Sequence, residues 1–437
     1  RTSKTMAAQV GSGETRLDRD DSTGHVPSLF VVTTVAPTAH RTRALTPDMA
    51  RGGMLLLITA ANAPWYLFRP TTAIGVAHPL DGNVLDKVAQ FLLIVFVDMR
   101  ALPLFAFLFG YGMVQFLESR MARGVAVREI RRMLRRRHVA MIGFGLVHAA
   151  LLFQGDVLGA YGVLGLILTP LLFFRSDRII RICLVVMLVL LGLFTVMTLV
   201  SGIMLAATHT PVSTGDYNPG DIAAEPEYLA SMVKRLLVWV PSTLVSALML
   251  TVPAAILTGW LAARRHVLDQ PWEHTPMLRR TAAVCLPTAW AGGLPQALQH
   301  LGLVPVPHEL GFMFIGLHQF TGLFGGLGYA ALFGLLAVRA RRRGGLGTAG
   351  RYVSTLGRRS LTGYLLQPVF YAPLLAGWGL GLGAHLGSAT CLVLSAVIWA
   401  ITVAVAHAFE TRGRRGPAEW LLRRITYGRS PKPLPSQ

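Results

Sequence analysis

From about residue 52 the chain alternates long apolar stretches with short polar ones. A bilayer crossing takes about 20 mostly apolar residues, fewer where a span is short, so the pattern predicts about ten transmembrane helices. They fall at roughly 52–68, 101–117, 139–153, 157–174, 182–206, 237–262, 281–304, 312–337, 361–379 and 389–409. A further helix over residues 88–99 would lie at the interface, and "PEYLASMVKRLLVWV" begins as an amphipathic interfacial helix. Residues 1–44 are polar and irregular, without the basic start, apolar core and cleavage site of a signal peptide. They read as a disordered cytoplasmic segment, with Met6 a candidate start, ahead of a transmembrane domain at 45–428 and a tail at 429–437. The expected fold class is all-α, a polytopic helical membrane bundle.

The basic residues fix a direction. With the N-terminus inside, all but five of the 41 Lys and Arg fall in cytoplasmic segments. The five outside are Arg69, Lys87, Arg100, Lys234 and Arg235. An odd number of crossings before any of the large clusters would put it on the wrong side. The positive-inside rule therefore predicts ten crossings with both termini cytoplasmic.

Composition then removes alternatives. Only 14% of residues are charged, against about a quarter in soluble domains. A net charge of +20 in a soluble chain would suggest a nucleic-acid partner. Here the arginines sit between apolar runs, so membrane lipids are the expected partners and nucleic acid is not. Cys183, Cys285 and Cys391 each lie in an apolar run with no metal spacing, and no metal site is expected. There is no HExxH, GxSxG or Walker loop. Gly155–Gly159, Gly322–Gly326 and Gly379–Gly383 have the spacing that lets helices pack closely.

Ionisable groups inside apolar spans are costly and tend to face a cavity or a partner. The stretch "GLVHAALLFQGDVLGAYGVLG" holds His148, roughly 9 Å inside the outer end of its predicted helix, and Asp156 at the following outer turn. A carboxylate beside a His fixes its tautomer and raises its basicity, so the two are the candidate catalytic pair. The plainer alternative makes His148 a packed group bonded to a carbonyl and Asp156 a helix cap. Asn62, Asp98, Arg100, His318 and Gln319 are further candidates for substrate contact or a cavity wall in the same outer half, with Tyr161 beside them. On the cytoplasmic side, Arg358 and Arg359 precede Tyr364 and Gln367 in "STLGRRSLTGYLLQP". The two arginines and Gln367 are candidates for holding the phosphates of a donor or a lipid, although arginines there also serve simply to orient the helix.

Several of these segments together resemble one family. "TPDMARGGMLLLITAANAPWY" resembles the opening of the YeiB-like bacterial membrane proteins (domain of unknown function 418), on Asp48, Arg51, Gly52 and Asn62. "LPLFAFLFGYGMVQFLESR", the His148–Tyr161 element, "LGRRSLTGYLLQPVF" and "RGPAEWLLRRITYG" resemble its later segments in the same order. Ala106, Gly363 and Pro368 stand where Ser, Asn and Ser are common in that family. The resemblance runs from about Asp48 to Gly428, and the part from about residue 236 is the most recognisable. It implies a distant likeness to transmembrane acyltransferases, including lysosomal heparan glucosaminide acetyltransferase and bacterial enzymes that acylate surface sugars. In that group acyl groups pass from a cytoplasmic carrier to an acceptor across the bilayer, often with a His implicated. The implied activity is transfer from an acyl-CoA or other acyl thioester to a small-molecule or lipid-linked acceptor, with no bound cofactor. The competing expectation is a transporter, or a membrane protein that binds lipid or solute without covalent chemistry.

Overall fold

The computed structural model describes residues 45–68, 76–209 and 220–428. The expectations for the N-terminal segment to residue 44, for Arg69, for Asp216 and for the tail from 429 lie outside the described residues. Among the described residues the regular structure is all helical, with no strand. The apolar runs become α1 (Leu45–Asn62), α3 (Ala101–Met121), α4 (Val127–Leu151), α5 (Leu158–Leu168), α6 (Asp177–Ala207), α8 (Tyr228–Leu248), α9 (Thr251–Arg264), α10 (Thr275–His300), α11 (Ile315–Arg342), α13 (Ser360–Leu375) and α14 (Ser388–Thr411). Between and after them come α2 (Val84–Phe96), α7 (Gly220–Ala224), α12 (Thr348–Arg358) and α15 (Pro417–Tyr427).

Five helical stretches are long and apolar enough to cross a membrane: Val84–Met121, Asp177–Ala207, Tyr228–Leu248, His308–Arg342 and Ser388–Thr411. Along α6 the residues Ile182, Val185, Val189, Leu193, Val196 and Ile203 are all exposed. An apolar face of that length has no place in water, and the chain is a membrane-type helical protein.

Local physics explains where the helices depart from the apolar runs. The predicted third span begins at residue 139, but α4 starts at Val127 and takes in the arginine run. Ile130, Leu134, His138, Met141 and Gly145 form a buried stripe along it, while Arg131, Arg132, Arg135 and Arg136 face outward. That three-to-four residue repeat carries an amphipathic helix through charge that a hydropathy window reads as loop. The predicted sixth span breaks into α8 and α9 at Met249, whose ψ is 112°. Pro253 lies four residues on, and its ring would collide with the Met249 carbonyl in a continuous helix. The helix expected over residues 88–99 is α2, started by a capping box: Asn83 Oδ1 accepts from Asp86 N, and Asp86 Oδ2 accepts from Asn83 N.

The core lies where α3 packs on α9, α10 on α11, α4 on α5, and α1 on α12. Tyr111 and Trp260 are fully buried at the first of these contacts. The Gly322–Gly326 pair seats α11 against the start of α3: a methyl at Gly322 would sit 2.1 Å from Met99 O. That close approach matters below, because the start of α3 carries Arg100.

Candidate functional site

His148 lies in the last turn of α4, three residues before its end at Leu151. The chain then turns at residues 152–157 and enters α5. His148 Nδ1 and Asp156 Oδ2 are 2.7 Å apart, with the side chains 2% and 0% exposed. A carboxylate only accepts, so Nδ1 carries the hydrogen and the lone pair is left on Nε2. Nε2 is buried without a hydrogen-bond partner among the described residues.

Asp156 is held from three helices. Its Oδ1 accepts from Gly159 N at 3.1 Å in the first turn of α5, and its Oδ2 accepts from Tyr364 Oη at 3.2 Å on α13. Tyr364 Oη in turn accepts from Val157 N at 3.3 Å. Gly145 makes the arrangement possible, since a methyl there would lie 2.4 Å from Asp156 Oδ1 and 2.6 Å from Gly159 N. Gly145 stands six residues before the end of α4, so the loop dips roughly 9 Å back along the helix. Asp156 lies in the link between α4 and α5, where the sequence placed it, and its carboxylate is turned back beside Gly145. Non-helical backbone at that depth is tolerated because protein surrounds it. The same geometry moves Tyr364 from an expected cytoplasmic position to the side of the His–Asp pair.

A second polar group surrounds the start of α3. Arg100, fully buried, donates to the carbonyls of Ile94, Asp98 and Ala289 and to His318 Nε2. His318 Nδ1 faces Gln296 Oε1. Asp98 Oδ2 is 2.8 Å from Nε2 of His78, a residue that the reading of the sequence passed over. The described hydrogen bonds thus form two groups, and Asp98, Arg100 and His318 belong to the second one, away from His148. The groups meet through α3: Tyr161 Oη donates to Leu102 O at 3.1 Å, and the Phe105 ring lies 4.9 Å from Tyr161 and 6.1 Å from Tyr364.

The remaining candidates are dispersed. Asn62 closes α1, half-buried, and takes part in neither group of described bonds. Gln319 Nε2 contacts Met249 Sδ at 3.8 Å. Gln367 Nε2 donates to Leu55 O at 3.1 Å. Arg358 and Arg359 both pair with Glu410, at 2.6 and 2.7 Å, and Arg359 also donates to Arg414 O. Their charge is therefore partly offset within the chain. A cleft of about 360 Å³ lies elsewhere, between the starts of α2 and α14, lined by Asn83, Asp86, His385 and Thr390 among others.

Residues 262–429 match the family described as "Protein of unknown function (DUF418)". The chain is 26% identical over 359 residues to the uncharacterized protein YxaH of Bacillus subtilis (strain 168), spanning 78% of this chain and 83% of that one. It is 26% identical over 410 residues to the uncharacterized protein YeiB of Escherichia coli (strain K12), spanning 88% of this chain and 96% of that one. The C-terminal part of this chain thus carries the DUF418 match, and the chain is YeiB-like over most of its length. A third relative, an uncharacterized 39.9 kDa protein in the amylase 3′ region of Bacillus acidopullulyticus, is 34% identical over 137 residues, 31% of this chain and 35% of that one. No solved structure matches. In this chain the segment that matches the family supplies Tyr364, Gln367, Arg358 and Arg359, whereas His148 and Asp156 lie before it.

Proposed function

We propose that this protein is acyltransferase-like, passing an acyl group from a cytoplasmic thioester donor to an extracytoplasmic or lipid-linked hydroxyl or amine. The observation that carries the reading is the buried His148, tied to Asp156 through Nδ1 and left unpartnered at Nε2. In the transfer, the acceptor oxygen or nitrogen attacks the thioester carbonyl carbon and gives its proton to Nε2. The new C–O or C–N bond forms as the C–S bond breaks, and the proton passes on to the departing thiolate. Asp156 offsets the imidazolium formed between these steps, and Tyr364 and Gly159 N hold Asp156 in place. The donor's phosphates approach among the arginines at the cytoplasmic end, Arg358, Arg359 and Gln367 among the candidates. Of the other candidates only Tyr161 packs beside this site, through Phe105, whereas Asp98, Arg100 and His318 in the second group and the dispersed Asn62 and Gln319 take no part in the transfer step.

Removing a general base costs about 10²–10⁴-fold in rate. Purified protein reconstituted in liposomes, given an acyl-CoA and a matched acceptor, is expected to lose transfer to that extent on His148→Ala. Undiminished transfer by the variant defeats the assignment.

The buried His78–Asp98–Arg100–His318 group favours a second reading, a transporter or a lipid- or solute-binding protein without covalent chemistry. The two separate by ligand response. An enzyme is stabilised against heating by a CoA thioester or free CoA, whereas a transporter shows alternating protection of inner and outer positions. Either reading sits in a bacterial cell membrane with ten crossings, carried by α1, α3, α4, α5, α6, α8 with α9, α10, α11, α13 and α14, and with both termini cytoplasmic. The distribution of arginines supports that topology.

A further inference from the structure

Nothing above uses α15. This helix packs on α4 and α13, and its last turn brings Tyr427 to the end of the bundle where α4 begins. Arg120, at the end of α3, donates to Tyr427 Oη. The guanidinium carbons of Arg120 and Arg423 stand 4.6 and 4.9 Å from the Tyr427 ring centroid. Arg136 Nη1 lies 3.1 Å from where a Cβ on Gly428 would be. Arg137, on the same turn of α4, is half-buried and lies within electrostatic reach of Arg51 and Tyr427. The Nε atoms of Arg120 and Arg137 are buried with no hydrogen-bond partner among the described residues.

Among the described residues the carboxylates near this end have partners elsewhere. Asp48 pairs with Arg51 at 3.4 Å, Glu129 pairs with Arg132 at 3.2 Å out on the exposed side of α4, and Glu118, two residues before Arg120, faces His266 at 3.9 Å. Gathering guanidinium groups of like charge in partly buried surroundings costs free energy unless an anion lies between them. Planar N–H forks suit an oxyanion, and the several oxygens of a tetrahedral phosphate can meet more than one guanidinium and a tyrosine hydroxyl at once. Since Tyr427 Oη already accepts from Arg120, its own hydrogen remains to be donated.

We propose that the side-chain cluster formed by Arg120, Arg137 and Arg423 with Tyr427, where α3, α4 and α15 come together, binds a phosphate group. The phosphate belongs either to a soluble phosphate-bearing ligand or to an anionic lipid headgroup. The site is separate from Arg358 and Arg359, and it stands or falls independently of acyl transfer at His148.

The test uses the full chain in a mild detergent with two probes, inorganic pyrophosphate for the soluble source and phosphatidylglycerol for the lipid. Phosphatidylcholine, whose choline offsets its phosphate charge, is the comparison. Calorimetric titration with pyrophosphate and thermal melting with each lipid are read for wild type, Arg137→Gln with Arg423→Gln, and Arg342→Gln as an exposed basic control. Binding of pyrophosphate that weakens at least about tenfold in the double variant but not in Arg342→Gln supports the site with a soluble ligand. Stabilisation by phosphatidylglycerol alone, lost in the double variant, supports it with a lipid. If neither probe acts on wild type, or the double variant responds as wild type does, the proposal is overturned. Should the double variant fail to fold, Tyr427→Phe decides, because it removes one hydroxyl and undiminished affinity in it is equally fatal.

Discussion

Asp156 takes hydrogen bonds from α4, α5 and α13 at once, and Gly145 is the residue that leaves room for it. A methyl at Gly145 would meet both the Asp156 carboxylate, which three hydrogen bonds pin in place, and the α5 backbone. Gly145→Ala is therefore expected to destabilise the protein by about 1–3 kcal/mol, and to do so through the site itself. A lowered melting temperature checks the first part. A loss of His148-dependent activity larger than the loss of folded protein checks the second. His148 and Asp156 were legible in the sequence because they are the ionisable groups in an otherwise apolar run, eight residues apart. Tyr364 was not, since it stands 208 residues further on and nothing local marks it as the partner of a carboxylate. His78 was missed for a related reason: it sits in a polar connection where a histidine needs no explanation. Arg358 and Arg359 show the opposite limit. Their charge was plain in the sequence, but Glu410, which pairs with both, lies more than fifty residues away on α14.

Asp86 is a structural device at the level of whole helices. One oxygen completes the capping box of α2, and the other accepts from Ala389 N in the first turn of α14 at 2.9 Å. A single carboxylate thus serves two helix starts, where orphan N–H groups and the helix dipole both favour negative charge. Loss of one cap costs about 0.5–2 kcal/mol. Asp86→Ala is expected to cost more than Asn83→Ala, which removes an α2 cap alone, and paired thermal melts of the two variants measure the difference. Equal losses would show that the α14 contact contributes nothing. The apolar runs were readable as helices because burial in lipid or core imposes them whatever the local propensity. Boundaries followed subtler rules. Pro253 cut one predicted span at Met249, and a buried stripe at Ile130, Leu134 and His138 carried α4 through an arginine run. α12 and α15 were hidden in segments that read as basic loops, because only one face of each packs on the bundle.

At the scale of the molecule, α6 sets the problem of fit. Its 31 residues rise about 46 Å, against a hydrocarbon layer of about 30 Å, so it must tilt or stand proud of the membrane. The ten crossings proposed above put Asp216, in the connection after α6, outside, and Arg342, in the last turn of α11, inside. In sealed cells a membrane-impermeant thiol reagent is expected to label Asp216→Cys and not Arg342→Cys, each scored against the unsubstituted chain. Labelling of both, or of Arg342→Cys alone, contradicts ten crossings with cytoplasmic termini.

The three-helix grip on Asp156 also has a schedule. Its bonds to His148 and Gly159 span eight and three residues, whereas its bond from Tyr364 spans 208. A ribosome adding about 5–20 residues per second delivers Tyr364 roughly 10–40 seconds after Asp156. The histidine and the carboxylate can pair almost as soon as they are made, so the growing chain need not hold a carboxylate without hydrogen bonds while it waits for α13. The last hydroxyl arrives at a pair that has already closed, and it locks a loop whose place was chosen earlier.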